Sequence, residues 1–238
     1  MKDIILSEDH IITRDVYQTP QEHRHFAKQL MFGIDEALIC KIDGSLVYGL
    51  GLCIASNVSH TAKTTSGKML LILVEETSKF SEKLNTLLKD SCYIVLEDSM
   101  VNTVAAAFKS GALQGVEHAL FPIFHLEDRY LEKYDSRITK VLQILEECNT
   151  IEVDIFQQLS DQTALSKSRL SHIFKEQVKI SLASYIVMAK MRKAAKYVLQ
   201  GERLTTASYH AGFSSSAHMA ATCKQMFGNS LSELFSIK

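Results

Sequence analysis

Two groups of side chains have the types and spacing to do chemistry. The first is Glu22-His23-Arg24-His25, followed by Gln29 and later by His60 in the segment ASNVSHTAK. A His-x-His pair on a strand puts both imidazoles on one face, because side chains alternate. A third His from a distant strand could complete a metal site; a hydrogen-bonded histidine cluster is the other reading of the same residues. The second group is Lys167, Ser168, Arg169, Ser171, His172 and Lys175. At helical spacing these form one outward face of cations and compact hydrogen-bonding groups. Such a face can reach base edges in a major groove and the flanking phosphates. No nucleophile–base constellation, phosphate-binding glycine loop or paired-carboxylate motif accompanies them, so no catalytic residue is assigned and no enzyme is expected.

The second group belongs to an internal repeat. LSDQTALSKS from Leu159 matches ASYHAGFSSS from Ala207 at an offset of 48, pairing Ser160 with Ser208, Ser166 with Ser214 and Ser168 with Ser216. Further on the offset becomes 49, with Lys175 matching Lys224 and Ser181 matching Ser230. Each copy reads as a helix-turn-helix. A short helix (Val153–Gln162; Thr205–His210) leads to a tight turn (Thr163 to Leu165; Ala211 to Phe213). Gly212 supplies positive φ, and Ser166 and Ser214 are the expected N-caps of the second helices. A long helix joins the copies, with Tyr185, Met188, Met191, Ala195, Val198 and Leu199 as its apolar face and Gly201 at its end.

These motifs resemble the AraC/XylS family of bacterial regulators over about residues 136–235. The run from Ala164 to Gln200 is similar to the family's first recognition helix and connecting helix. The run from Ala211 to Leu234 is similar to its second signature, with Gly212, Phe213, Lys224, Phe227, Gly228 and Ser230 in place. The resemblance implies a sequence-specific DNA-binding transcription regulator whose two helix-turn-helix units enter successive segments of a major groove. Its second reading surface is Ser215, Ser216, His218 and Lys224, interrupted by Ala217 and Ala221. Departures are Ala164 for a frequent Gly, Lys190 for a frequent Arg, and Leu231 for the usual Pro.

Residues 15–76 resemble regulator-type cupin β-barrels through PQEHRHFAKQL and GLGLCIASNVSH. That resemblance implies an interior pocket for a small organic effector, lined by His23, His25, Gln29 and His60, with no metal and no cofactor. Metal-binding cupins offer a carboxylate where this chain has Gln29. The competing reading is a metal-dependent cupin enzyme, a dioxygenase or isomerase, with a helical appendage; the repeat favours the regulator.

Around these residues the expected fold class is α+β in two domains: a cupin-like N-terminal β-barrel or sandwich with two helices, then an all-α double helix-turn-helix. Short strands are expected at Ala27–Ile34, Leu38–Asp43, Ser45–Tyr48, Leu52–Ala55 and Lys68–Val74, with a hairpin at Asp43-Gly44. Phe80, Leu84, Leu87 and Leu88 have helical spacing, as do Val101, Val104, Ala105 and Phe108, whose run ends at Gly111. The expected boundaries are a sensing and dimerisation domain over 1–125, a linker over 126–135 and a DNA-binding domain over 136–238.

Charge divides along the same line. Residues 136–238 carry 13 Lys and Arg against 8 Asp and Glu, a net of +5. The preceding 135 carry 13 against 19, a net of −6, which together give the chain's −1. A basic half joined to an acidic half suits a nucleic-acid reader with a separate sensing part. The five cysteines are scattered and read as reduced thiols. No signal peptide or membrane span is expected, and the location expected is cytoplasmic. Expected partners are double-stranded DNA, an unidentified small-molecule effector, a second copy in a homodimer and, for an activator, RNA polymerase.

Overall fold

The computed structural model describes residues 4–16, 21–126 and 134–227. Most of the expected linker, and Gly228, Ser230 and Leu231 of the second signature, lie outside the described residues. The chain forms two compact units, one of residues 1–130 with 224–238 and the other of residues 131–223.

The first unit begins with β1 (Ile4–Leu6), β2 (His10–Val16), β3 (Lys28–Gly33), β4 (Leu38–Ile42) and β5 (Ser45–Gly49). It continues with β6 (Gly51–Ile54), β7 (His60–Lys63), β8 (Lys68–Val74), α1 (Lys79–Leu88), β9 (Tyr93–Val95) and α2 (Asp98–Phe124). All pairings are antiparallel, in one sheet ordered β1-β2-β8-β3-β6-β9 and another ordered β5-β4-β7. A bridge from His23 to His60 extends the smaller sheet beyond β7. From β2 to β8 the chain passes repeatedly from one sheet to the other. This gives the pairings β2-β8-β3-β6 and His23-β7-β4-β5, the jelly roll that cupins use. The five expected strands are present; β1, β2, β7 and β9 are additional.

Register sorts the residues of the larger sheet. Ile12, Ile72, Leu30 and Cys53 lie side by side and face α1 and α2, which bury Phe80, Leu84, Val101, Val104, Val116 and Leu120 against them. Both helices therefore spend their apolar faces on their own sheet. The helical run that contains Val101 and Phe108 ends at Gly111 as expected: the backbone leaves helical geometry at Gly111 and Ala112, and a second helical segment, not expected from the sequence, continues to Phe124. The other face of β3 carries Gln29 and Met31. Met31 lies opposite Leu52 and Leu71, and Gln29 opposite Ile54 and Leu73. This row meets the smaller sheet.

The second unit is helical: α3 (Ser136–Glu147), α4 (Ile155–Thr163), α5 (Lys167–Val178), α6 (Leu182–Leu199), α7 (Leu204–His210) and α8 (Ser216–Phe227). The repeat is visible in its hydrogen bonds. Leu165 donates its N–H to Ser160 O at 3.1 Å, and 48 residues later Phe213 donates to Ser208 O at 2.9 Å. Between them sit Ala164 at φ 52° and Gly212 at φ 88°, both left-handed. Ser160 and Ser208 are buried beneath these turns. Val153, expected to start α4, is 92% exposed and precedes that helix.

The two turns make opposite demands on residue type. A Cβ on Gly212 would lie 1.9 Å from Ile151 O, besides forcing an L side chain to positive φ. Gly212→Ala should therefore destabilise the second unit by well over about 1 kcal/mol. Ala164 occupies the same conformation with a Cβ, so Ala164→Gly should stabilise by roughly 1 kcal/mol. Thermal melts of the two variants test both signs, and equal effects would contradict the assignment of the turns as equivalent.

Candidate nucleic-acid interface and histidine cluster

In the first helix-turn-helix, Ser166 caps α5 by accepting the Arg169 N–H at 3.2 Å. Leu170, Ile173, Phe174 and Val178 face inward, and Phe174 packs its ring 5.4 Å from that of Tyr185 on α6. This leaves Lys167, Ser168, Arg169, His172 and Lys175 exposed on one face, where the sequence places them. Ser171 is half-buried and its hydroxyl donates to Lys167 O at 2.8 Å. It therefore offers a base edge its lone pairs and no free donor.

The second unit differs at its cap. Ser215, not Ser214, accepts the His218 N–H at 3.1 Å, while Ser214 Oγ lies 3.0 Å from His218 Nδ1. The helix begins one residue later than expected because of the extra residue that changes the repeat offset. Met219 and Cys223 are buried, the latter completely. Ser215 and Ser216 are half-buried, and His218, Ala221 and Lys224 are exposed. Among the described residues this face holds one full cation, Lys224, beside alanines, so it is poorer in long donors than α5.

The connecting helix α6 has 18 residues, a length of about 27 Å at 1.5 Å per residue. Lys190 Nζ donates to Gly212 O at 2.5 Å and stands 6.0 Å from the Phe213 ring centre, fixing the second turn. Burial, opposed by nearby Glu152, lowers its pKa. Lys193 donates to Glu146 O and Tyr197 to Asn149 O, holding α6 to the end of α3 and the residues that follow. From residue order Lys190 stood out only as a cation on the connecting helix in place of a frequent Arg; its bond to Gly212 appears with the fold. Leu199, assigned to the apolar face, is 45% exposed at the C-terminal end of α6.

In the first unit the cluster expected from the sequence is assembled. His23 and His60 meet across the bridge with ring centres 4.5 Å apart; His25 is 5.9 Å from His23 and 5.3 Å from His60. One ring nitrogen of each lies within 4.8 Å of those of the others. Nδ1 of His23, His25 and His60 lies 2.9 Å from the backbone carbonyls of Gln21, Ala27 and Val58 respectively. A carbonyl only accepts, so in each neutral ring Nδ1 carries the proton and Nε2 keeps its lone pair. His60 Nε2 is buried with no hydrogen-bond partner among the described residues. His25 Nε2 lies 2.8 Å from the side-chain oxygen of Gln29. A lone pair facing that oxygen is repelled unless the amide turns its NH2 inward or a cation lies between them.

These rings resist protonation. Burial, reinforced by the neighbouring imidazoles, brings His25 down to about 3 and His60 to about 4, and burial lowers His23. The donor set of three neutral imidazoles and an amide oxygen fits a borderline transition metal better than calcium or magnesium. Cys40 and Cys53 do not add thiolates, because burial pushes both up to about 12.

A buried ion pair absent from the sequence reading lies on the opposite face of β3. Lys28, 2% exposed, donates to Glu76 Oε1 at 2.6 Å and to Ser81 Oγ on α1 at 2.7 Å. Ser56 donates to the other Glu76 oxygen. The available signal was a lysine inside an otherwise apolar strand, since a buried lysine requires a partner.

Stability should follow the histidines. Between the unfolded pKa of about 6.5 and the folded values, the unfolded chain binds more protons, so stability drops as the pH is lowered. In metal-free protein it should be full above that upper value and decline progressively towards about 4 for His60 and about 3 for His25. Thermal melts from pH 8 to 4 check this; a flat profile for the wild type would contradict the assignment, and His60→Gln should shallow the slope.

Residues 159–236 match the helix-turn-helix domain family. No curated protein matches by sequence. An apo lysine-to-alanine variant of ToxT of Vibrio cholerae strain SCE256 superposes with a TM-score of 0.62 at 7% identity, covering 98% of this chain and 99% of that one. Wild-type ToxT of the same strain, bound to an unsaturated fatty acid, gives 0.56 at 11% identity, covering 100% and 99%. ToxT of strain O395 gives 0.57 at 10% identity, covering 96% and 98%. The C-terminal part of the chain thus carries a helix-turn-helix domain, with two structurally equivalent turns within it and a jelly-roll domain before it, and the whole chain shares its fold with ToxT.

Proposed function

We propose that this chain is a DNA-binding transcription regulator of the AraC type that lays α5 and α8 into adjacent major-groove segments of double-stranded DNA, with α6 setting their spacing. The observation that carries this is the pair of identical turn hydrogen bonds at an offset of 48, which supports one mode of presentation for both helices. Arg169 and His172 read base edges; Lys167, Ser168 and Lys175 hold phosphates; Ser171 accepts. The second face, Ser215, Ser216, His218 and Lys224, contributes phosphate contacts and shape readout, since alanines offer no hydrogen bonds. The jelly-roll unit senses a small effector at or beside His23, His25, Gln29 and His60. ToxT, whose fold this chain shares, has been seen with an unsaturated fatty acid bound, which supports an effector role for this unit. The protein works in the cytoplasm as a homodimer and, as an activator, contacts RNA polymerase. Among the described residues no helix is long and apolar enough to cross a membrane.

Duplex affinity of the full chain should fall steeply with salt, each phosphate contact adding about −0.9 to the log–log slope. Lys167→Ala should weaken binding evenly across sequences and reduce the slope by about 1, whereas Arg169→Ala and His172→Ala should relax discrimination in one half-site by roughly 1–3 kcal/mol each. A base-substitution scan of a selected site reads this out. Sharp, equal discrimination in both halves would refute the division of labour, and no duplex binding at low salt would refute the interface.

A further inference from the structure

We propose that two copies of this chain pair through the free edge of β5, strand to strand and antiparallel, about a two-fold axis at Val47. This deepens the homodimer reading above and rests on it. Three observations carry it. First, β5 (Ser45–Gly49) stands at the end of the smaller sheet, with no strand beyond it among the described residues. The opposite edge of that sheet meets the bridge from His23 to His60. In the larger sheet the edge strands β1 and β9 have three residues each. β5 has five, Ser-Leu-Val-Tyr-Gly, and pairs with β4 residue for residue. Short strands, bulges, lysines and prolines keep sheet edges from pairing with other chains. β5 carries none of them.

Second, the side chains at this edge are apolar and exposed. Val47 is buried in the jelly roll, so Leu46 and Tyr48 point outward, and both are 59% exposed. Leu50 follows at the end of the strand and is exposed as well. Val95 of β9 lies beside Gly49, with its Cγ1 3.0 Å from the position that a Cβ there would take. Leu46, Tyr48, Leu50 and Val95 are four of the seven large apolar side chains exposed among the described residues. The apolar faces of α1 and α2 are taken up by their own sheet, which leaves this edge as the apolar surface of the first unit.

Third, the edge is complementary to itself, which is what names a second copy as its occupant. The Asp43 N–H bonds Ser59 O on the β7 side of β4. Alternation then turns Ile42 and Cys40 towards β5, where Ser45 and Val47 are their partners. Leu46 and Tyr48 therefore aim their N–H and C=O groups out of the sheet. A two-fold axis at Val47 sets Leu46 opposite the partner's Tyr48 and Tyr48 opposite the partner's Leu46. Each pair exchanges two hydrogen bonds, and on the outer face an aromatic ring meets an aliphatic side chain twice. The two smaller sheets then run on as one. Five residues a side are far fewer than the roughly 20–30 a side of a stable complex, so pairing depends on concentration. Two copies held on one duplex meet at an effective concentration of roughly millimolar, which favours the pair there.

The test is equilibrium sedimentation of the full chain at concentrations up to about 100 µM, the range that a contact of this size requires. The expected result is a reversible monomer–dimer equilibrium. Leu46→Lys together with Tyr48→Lys sets like charges opposite each other across the axis and should weaken dimerisation about 10-fold or more. Leu46→Lys together with Tyr48→Glu sets opposite charges there and should restore the dimer, now sensitive to salt. Leu46→Pro removes an N–H that points out of the sheet, a place where an edge strand tolerates proline; it should lose the dimer and supplies the answer if the double-lysine chain does not fold. Each folded variant should keep the wild-type affinity for a duplex carrying one site. Wild type that stays monomeric throughout overturns the proposal together with the homodimer reading. A dimer that survives both the double-lysine and the proline variant overturns the β5 edge and leaves the homodimer reading standing. Equal loss in the double-lysine and the lysine–glutamate variants overturns the axis at Val47. Weakened single-site affinity in the variants would assign this edge to DNA contact and overturns the proposal. Absence of duplex binding in the wild type strikes the DNA-binding reading instead, and sedimentation alone then decides the edge.

Discussion

Each recognition helix is aimed by a turn of a few residues closed by one backbone hydrogen bond, from Leu165 to Ser160 and from Phe213 to Ser208. The turn requires a left-handed residue at its centre and a buried serine beneath it. Those requirements fix where α5 and α8 begin, and therefore which side chains face outward. Capping follows from the same geometry: Ser166 in the first copy and Ser215 in the second satisfy N–H groups that the first helical turn leaves without partners. Lys190 extends the constraint to α6 by holding the carbonyl of Gly212. The two faces are thus held by a chain of short polar contacts laid over an apolar core.

The jelly roll concentrates its polar chemistry on one strand. β3 is buried along its whole length, so each polar residue in it needs a partner. Lys28 finds Glu76 and Ser81 on the helical side, and Gln29 finds His25 on the inner side. Removing one member of such a buried pair strands the other, at a cost of about 3–5 kcal/mol for a charge. A strand with this demand on both faces is a natural place to join a ligand site to the helices that cover the sheet.

Much of this was legible from residue order. The offset of 48 identified the repeat, the helical face Lys167, Ser168, Arg169, His172 and Lys175 is exposed as its periodicity required, and His-x-His with His60 marked a cluster that the fold assembles. These signals survive because they are local or periodic, and local geometry dominates them. Four strands were missed: β1 and β9 are three residues long, while β2 and β7 mix polar with apolar residues and gain their identity only from pairing. The cap at Ser214 was misplaced because one inserted residue shifts the second helix by a position. The helix end at Gly111 was legible, but the helical segment beyond it, which buries Leu113, Val116 and Leu120 against the sheet, was not.

The sequence by itself determined that two helix-turn-helix copies stand in one chain and that three histidines and a glutamine could share a centre, because spacing and residue type are enough for both. Only tertiary structure decided which nitrogen of each imidazole faces that centre, that Ser171 has already given its proton away, and that Lys28 is paired across the sheet. These depend on carbonyls and carboxylates brought close by pairing between distant segments, and a hydrogen bond is settled by tenths of an ångström and by direction, which no one-dimensional pattern records.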